Sequence, residues 1–283
     1  MTTMFARSPR RSLIGDIGAY AILVVISLLF VIPIVWIFST SLKPTPEILV
    51  TPMTMLPKHL TLDHYFAAFG SDFRRYLMNS LIAATGSTAI GLALAIPAGF
   101  GFAKFKYPVS RTLLSFTVVS RVFPPIALAL PFFLEFGAFG LTDNPWGLAI
   151  AYVPIVLPLM IWMLHGFFLD FPDELLDAAR MDGLNVVQTL VRVVIPLSWP
   201  GLGVATLFGF LVAWNEFIIA LTLTRTPAGQ TMPVGISTLI TQFQVLWGDM
   251  MAVAAIYLLP VFVVTIVAQR GLVRGLMTGA TKG

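Results

Sequence analysis

Arg121 and Glu216 sit inside long apolar runs of this sequence, with Glu135 near the end of the run that holds Arg121. A charge at membrane depth is costly and faces a partner helix or a wet pathway. With Trp214 and Asn215 beside Glu216, these groups offer donors and acceptors to a hydroxyl-rich solute. Structural roles are open too: Arg121 as a snorkelling charge or a cap on carbonyls freed by Pro124 and Pro125, and Glu216 with Asn215 as polar glue between helices. At about 1.5 Å per residue the two charges differ by roughly 12 Å in depth, so a direct ion pair needs stretched side chains or tilted helices. Other chemistry has no residues to carry it. His59, His64 and His165 lack metal-ligand spacing, and zero cysteines exclude a disulfide framework and a thiol nucleophile. Neither His-Glu-x-x-His nor Gly-x-Ser-x-Gly is present, and there is no Gly-x-x-x-x-Gly-Lys-Ser/Thr loop to cradle a nucleotide.

The elements that must position these residues are membrane helices. The 283 residues are 58% hydrophobic and 11% charged, with a mean hydropathy of +0.91. Soluble chains run at about 45–50% apolar and about 25% charged. Six apolar stretches approach the roughly 20 residues that cross a bilayer: Ile17–Ser39, Met78–Ala103, Leu113–Phe136, Trp146–Phe168, Trp199–Thr224 and Met250–Gln269. The runs are continuous rather than alternating, which excludes a barrel. With the N-terminus inside, the cytoplasmic segments hold Arg7, Arg10, Arg11, Lys104, Lys106, Arg111, Arg180, Arg192, Arg270, Arg274 and Lys282, and the outer loops hold Lys43, Lys58, Arg74, Arg75 and Arg225. This bias places both termini in the cytoplasm. A net charge of +4 invites a nucleic-acid reading, but the basic residues lie at membrane flanks and form no stripe. The chain divides into a tail (1–16), a first helix with a long outer loop (17–77), a five-helix core (78–270) and a second tail (271–283). Within the outer loop, Leu62–Tyr76 reads as an interfacial helix.

The acidic stretch Asp170–Ser198 interrupts the pattern. It carries Asp170, Asp173, Glu174, Asp177 and Asp182 against Arg180 and Arg192. Its local physics is a helix–turn–helix. Pro172 suits a first helical position, and Asp173 and Glu174 suit the positive end of the helix dipole. Leu175, Leu176 and Ala179, extended to Met181, form an apolar stripe, and Gly183 gives the freedom to turn. Asn185 caps a second helix expected to run to Val194 and stop before Pro196.

Asp177-Ala178-Ala179, Gly183 and Val193-Val194-Ile195-Pro196, at these spacings, resemble the EAA loop of ATP-binding-cassette importer permeases. The resemblance extends over nearly the whole chain, through Asn79-Ser80, Ala103 to Pro108, Arg121 to Pro125, Trp162 to Phe168 and Ala213 to Phe217. More narrowly, the chain resembles the second permease of maltose/trehalose-type carbohydrate importers. Asp177 stands where that motif has Glu, and Leu184 where it has Ala. The resemblance implies an all-α, six-span type I importer permease in a bacterial or archaeal cytoplasmic (inner) membrane. It implies Glu174, Asp177, Ala178, Ala179, Asp182, Gly183 and Pro196 as the loop that meets an ATPase. It also implies a second permease, two ATPase subunits that carry ATP and Mg, and an external solute-binding protein, with no cofactor or metal on this chain and no catalysis by it. Arg121, Pro124, Pro125, Tyr152, Trp214, Asn215 and Glu216 are the candidate substrate path, the Pro124-Pro125 pair pointing to a discontinuous helix. Phe123, Phe132, Phe133 and Trp162 are further rings able to stack on a sugar. The alternative is a stand-alone secondary transporter or channel, which would need more buried carboxylates or a charged ring.

Overall fold

The computed structural model describes residues 13–280 apart from 71, 106, 242 and 243, and side chains within 17–268. The expectations for Arg7, Arg10, Arg11, Lys106 and Lys282 lie outside the described residues, as do those for the side chains of Arg270 and Arg274. The chain is all-helical, as its composition implies, apart from one isolated bridge between Ile240 and Val245. Among the described residues four helices are long and apolar enough to cross a membrane: α1 (Leu13–Ser41), α4 (Phe73–Lys104), α7 (Pro145–Leu169) and α14 (Trp247–Ala280). Two bent pairs raise the count to six if each is one span.

The centre is the seam between α4 and α7. Along α4 the buried positions Ala83, Ser87, Gly91, Ala95 and Gly99 recur every fourth residue, a ridge of small side chains that winds slowly round the helix. Without a hydrophobic drive between helices in lipid, such ridges associate helices by letting backbones approach. The fit is close: a Cβ on Gly99 would stand 3.1 Å from the backbone nitrogen of His165, and one on Gly91 3.0 Å from Met160 Sδ. Met160 also fills the space left by Gly209 of α11 (Trp199–Trp214), so its thioether is held where three helices meet. The helix α14 lies on α11, and α1 on α14, its outer face exposed almost throughout.

The seam ties down both ends of the molecule. At one end Asn79 Nδ2 donates to the carbonyls of Ala228 and Gln230 at 2.8 and 2.9 Å, and Ser80 Oγ accepts the Met232 N–H at 2.8 Å. Twenty-five residues further on, roughly 37 Å at helical rise, Lys104 holds the segment that follows α7. Beside the Asn79 end, His64 of α3 (Asp63–Gly70) joins Asp249 of α14 at 2.6 Å and the Lys43 carbonyl at 3.1 Å, clasping the long connection after α1. In that connection Glu47 accepts the N–H groups of Lys58 and His59, which holds its carboxyl below the usual range.

Two expectations need correction. The stretch Trp199–Thr224 is not one helix: α11 stops at Trp214, and a separate α12 (Ile218–Leu223) follows. The break lets the Glu216 carboxylate reach backbone N–H groups, which a continuous helix would use internally. The second helix of the acidic stretch does not end before Pro196. It passes from α9 (Val186–Thr189) through a π-helical turn, Leu190–Val194, into α10 (Ile195–Leu197). Pro196 has no N–H for the carbonyl of Arg192, and a local π-turn is one way a helix absorbs that loss.

Close approach at the seam makes Gly99 and Gly101 respond differently to an added methyl. Gly99→Ala should cost about 1–3 kcal/mol by overpacking against immovable backbone. Gly101→Ala, with nothing within 4 Å of its Cβ, should cost nothing. Thermal unfolding of the detergent-purified protein measures the difference.

Candidate functional site

The acidic stretch folds as the expected hairpin. Pro172 caps α8 (Asp173–Met181), with Asp173 and Glu174 in its first turn. Gly183, at φ +78°, ends it: the Gly183 N–H donates to the Arg180 carbonyl and the Leu184 N–H to the Ala179 carbonyl, both at 3.0 Å. These two bonds are the Schellman closure, which needs a left-handed residue where Gly183 stands. Asn185 and Gln188 then form a reciprocal capping box that starts α9.

One face of the hairpin is buried and the other is bare. Leu176 and Ala179 pack inward with Phe171 and Val194, while Leu175 and Met181, expected on the same stripe, face out. Met181 is 88% exposed, and Val187, Glu174, Asp177, Ala178 and Asp182 are exposed as well, while Val186 borders the cavity behind the hairpin. The i,i+3 pair of Asp177 with Arg180 at 3.0 Å is solvent-exposed and contributes little, leaving Asp177 available to another protein. Behind the hairpin Lys104 donates to Asp173 and to the Phe171 carbonyl, both at 2.7 Å, so the hairpin is fastened to the end of α4. Between them lies a cavity of about 230 Å3 lined by Phe100, Lys104, Leu176, Leu184 and Thr189 among others. The hairpin leads into α11 through an 84° bend at Ser198.

The candidate path residues separate into two groups. Arg121 occupies a 3-10 turn, Ser120–Val122, between α5 (Ser110–Val119) and α6 (Pro125–Ala138), where the chain bends by 94°. The bend falls at the proline pair, Pro124 serving as cap and Pro125 as first residue of α6. Arg121, Phe123, Pro124 and Pro125 are all exposed. Glu216 is instead buried, at 8% exposure: its carboxylate accepts the Ile219 N–H at 3.0 and 3.1 Å and the Ala220 N–H at 3.1 Å. The charge is thereby satisfied by the positive end of α12. Tyr152, 1% exposed, sets its hydroxyl beside that carboxylate without a hydrogen bond of ordinary geometry. Trp214 is sandwiched between the rings of Phe210 and Tyr257 at 5.3 and 4.8 Å, and Tyr257 donates to its carbonyl. Asn215 is exposed and turns back onto the Leu211 carbonyl at 2.8 Å. Arg121 and Glu216 form no ion pair among the described residues. Phe132 and Phe133 are half-buried and Trp162 is exposed.

A family model described as the inner membrane component of binding-protein-dependent transport systems matches residues 91–278. The chain belongs to this family. Its relatives include the trehalose transport system permease protein SugB of Mycobacterium tuberculosis, 37% identical over 89% of this chain and 92% of that one. The sulfoquinovosyl glycerol transport system permease protein SmoH of Agrobacterium fabrum is 33% identical, over 89% and 88%. The trehalose/maltose transport system permease protein MalG of Thermococcus litoralis is 30% identical, over 93% and 95%. Among solved structures, a chain of a bacterial ABC transporter involved in the import of the acidic polysaccharide alginate superposes with a TM-score of 0.77, 24% identity, and coverage of 95% and 99%. The fold is that of a type I importer permease, and the stand-alone transporter is not favoured.

Two features of this permease escaped the sequence: the cap role of Glu216 and the fastening of the hairpin by Lys104. The spacing of Glu216 three residues before Ile219 was visible, but a helix start inside an apolar run gives no composition signal. If the cap reading holds, Glu216→Gln, which keeps an acceptor, should unfold near the parent temperature. Glu216→Leu should lose about 1.5–3 kcal/mol, the worth of a hydrogen bond to a charged group, as read by thermal unfolding of the purified protein.

Proposed function

We propose that this permease forms, with a second permease, the path for a sugar or sugar derivative delivered by an external solute-binding protein, and that two cytoplasmic ATPase subunits drive it. The observation that carries this reading is the hairpin of α8 and α9. It presents exposed Met181 and Val187 together with exposed Glu174, Asp177 and Asp182, while its back is fastened to α4. An acidic-rimmed apolar knob of this kind suits a groove in a protein partner. The sugar class rests on the relatives, whose names specify trehalose, trehalose/maltose and sulfoquinovosyl glycerol. ATP and Mg belong to the ATPase subunits, and this chain contributes motion rather than catalysis.

The path from hairpin to membrane is short. When the ATPase pair closes, displacement of α8 is passed to α4 through Lys104 and to α11 through the bend at Ser198. Two packed states of one structure then alternate, inward-open and outward-open. Arg121 lies in this path. An exposed guanidinium at a broken helix cannot face hydrocarbon, so the surface around it meets water or the second permease. Glu216, Tyr152 and Trp214 stand behind that wall as its support. We assign both termini to the cytoplasm from the bias of Lys and Arg.

Asp177→Lys inverts a charge on the bare face, and Gly183→Val forces a branched residue into the left-handed region at φ +78°. Both variants should reach normal membrane levels and lose ATPase stimulation by loaded binding protein in the reconstituted complex. Full stimulation in either would overturn the reading. Arg121→Met should weaken apparent sugar affinity about ten- to a hundredfold with assembly intact, since a charged hydrogen bond contributes about 1.5–3 kcal/mol. Reduced assembly with unchanged affinity would count against the path role. Cysteines introduced at Asn185 and Pro57, in a chain that has none, should label from opposite sides of the membrane.

A further inference from the structure

The long connection after α1 walls one side of a cavity. Across about 600 Å3, α2 (Thr45–Ile48) and α3 face the start of α14, with Thr45, Asp63 and His64 on one side and Gln244, Trp247 and Asp249 on the other. The floor is fixed. His64, 8% exposed, is held through both ring nitrogens, by Asp249 Oδ1 and by the Lys43 carbonyl. Gly248 lies so close that a Cβ there would stand 2.2 Å from the imidazole. The walls, in contrast, are not used up by the fold. The Asp63 carboxylate, the Thr45 hydroxyl and the second carboxylate oxygen of Asp249 have no hydrogen-bond partner among the described residues. Beside them Trp247 is 41% exposed.

We infer that this cavity is a sugar-binding site on the outer face of the permease, separate from the path around Arg121, and that it takes a neutral disaccharide. Its volume falls within the range of about 300–1,000 Å3 that small-molecule pockets occupy. Carboxylates accept hydrogen bonds through both oxygens, and an array of sugar hydroxyls supplies the donors that Asp63 and Asp249 lack. An indole such as Trp247 offers a flat apolar surface to the C–H face of a pyranose ring while its polar neighbours take the hydroxyls. The acidic pair also sets the class of sugar. Two carboxylates repel an anionic ligand, and no Lys or Arg lines the cavity among the described residues to offset them. His64 and Asp249 are 185 residues apart in the chain, so a sugar seated between the walls ties the outer connection to α14.

The sugar class rests on the importer reading above, and the test separates the two. Maltose and trehalose are the probes, with lactobionate as an anionic disaccharide of similar size. Each is titrated calorimetrically into the purified complex of both permeases and the ATPases in nanodiscs, without binding protein or nucleotide. Maltose or trehalose should bind and raise the unfolding temperature, since a ligand held only by the folded state stabilises it. Lactobionate should bind at least about tenfold more weakly. Asp63→Ala and Trp247→Ala should each weaken binding about ten- to a hundredfold, and Trp247→Phe, which keeps a ring, should recover most of the loss. Both positions are exposed, so without sugar the variants should unfold at the parent temperature. No binding of either neutral sugar, binding that both alanine variants leave unchanged, or equal binding of lactobionate overturns the inference. So does a Trp247→Ala complex that binds sugar as the parent does but loses affinity for loaded binding protein, because the cavity would then be a protein-docking surface. ATPase stimulation by loaded binding protein in the parent complex reports the importer reading by itself: stimulation without sugar in the cavity leaves that reading standing and removes only this one.

Discussion

Gly91 and Gly99, in a run of small buried residues, let α4 lie close against α7, and the rest of the permease is hung from that contact. In lipid, apolar bulk gives two helices no reason to prefer each other over acyl chains, so close packing must supply it. A seam this tight has little freedom to slide. It therefore serves as the fixed strut between Asn79 and Ser80, which hold the 228–232 segment, and Lys104, which holds the hairpin some 25 residues away.

Around the strut, the chain departs from helix at two places, and each solves the problem of unpaired backbone differently. At Pro124 the proline removes its own donor and starts a new helix, leaving the turn at Arg121 open to its surroundings. At Asn215–Phe217 no proline intervenes. Glu216 accepts the first N–H groups of α12, so a buried charge and a set of orphan donors satisfy each other. The open break lies at the exposed surface, and the closed one in the interior.

The hairpin combines stiffness behind with exposure in front. A Schellman closure at Gly183, a capping box at Asn185 and the Lys104 anchor remove most of its internal freedom. Its Val187 and Met181 stay exposed, an apolar surface of the kind that marks an interaction site.

Composition and order along the chain were enough to settle that this is a membrane helix protein, where the hairpin lies and how it turns, because hydropathy, caps and a left-handed glycine act over a few residues. The proline pair located one break for the same reason. Three things waited for tertiary structure. Trp199–Thr224 reads as unbroken because its apolarity is unbroken; only folding brings the Glu216 carboxylate onto the N–H groups of Ile219 and Ala220. Trp214 and Tyr152 are path candidates in one dimension and are buried in the fold, since burial is decided by neighbours far off in sequence. Asp143 carried no signal at all. Its carboxylate accepts the N–H groups of Arg225 and Thr226, about eighty residues downstream, and long-range backbone contacts leave no mark in the local pattern of residues that make them.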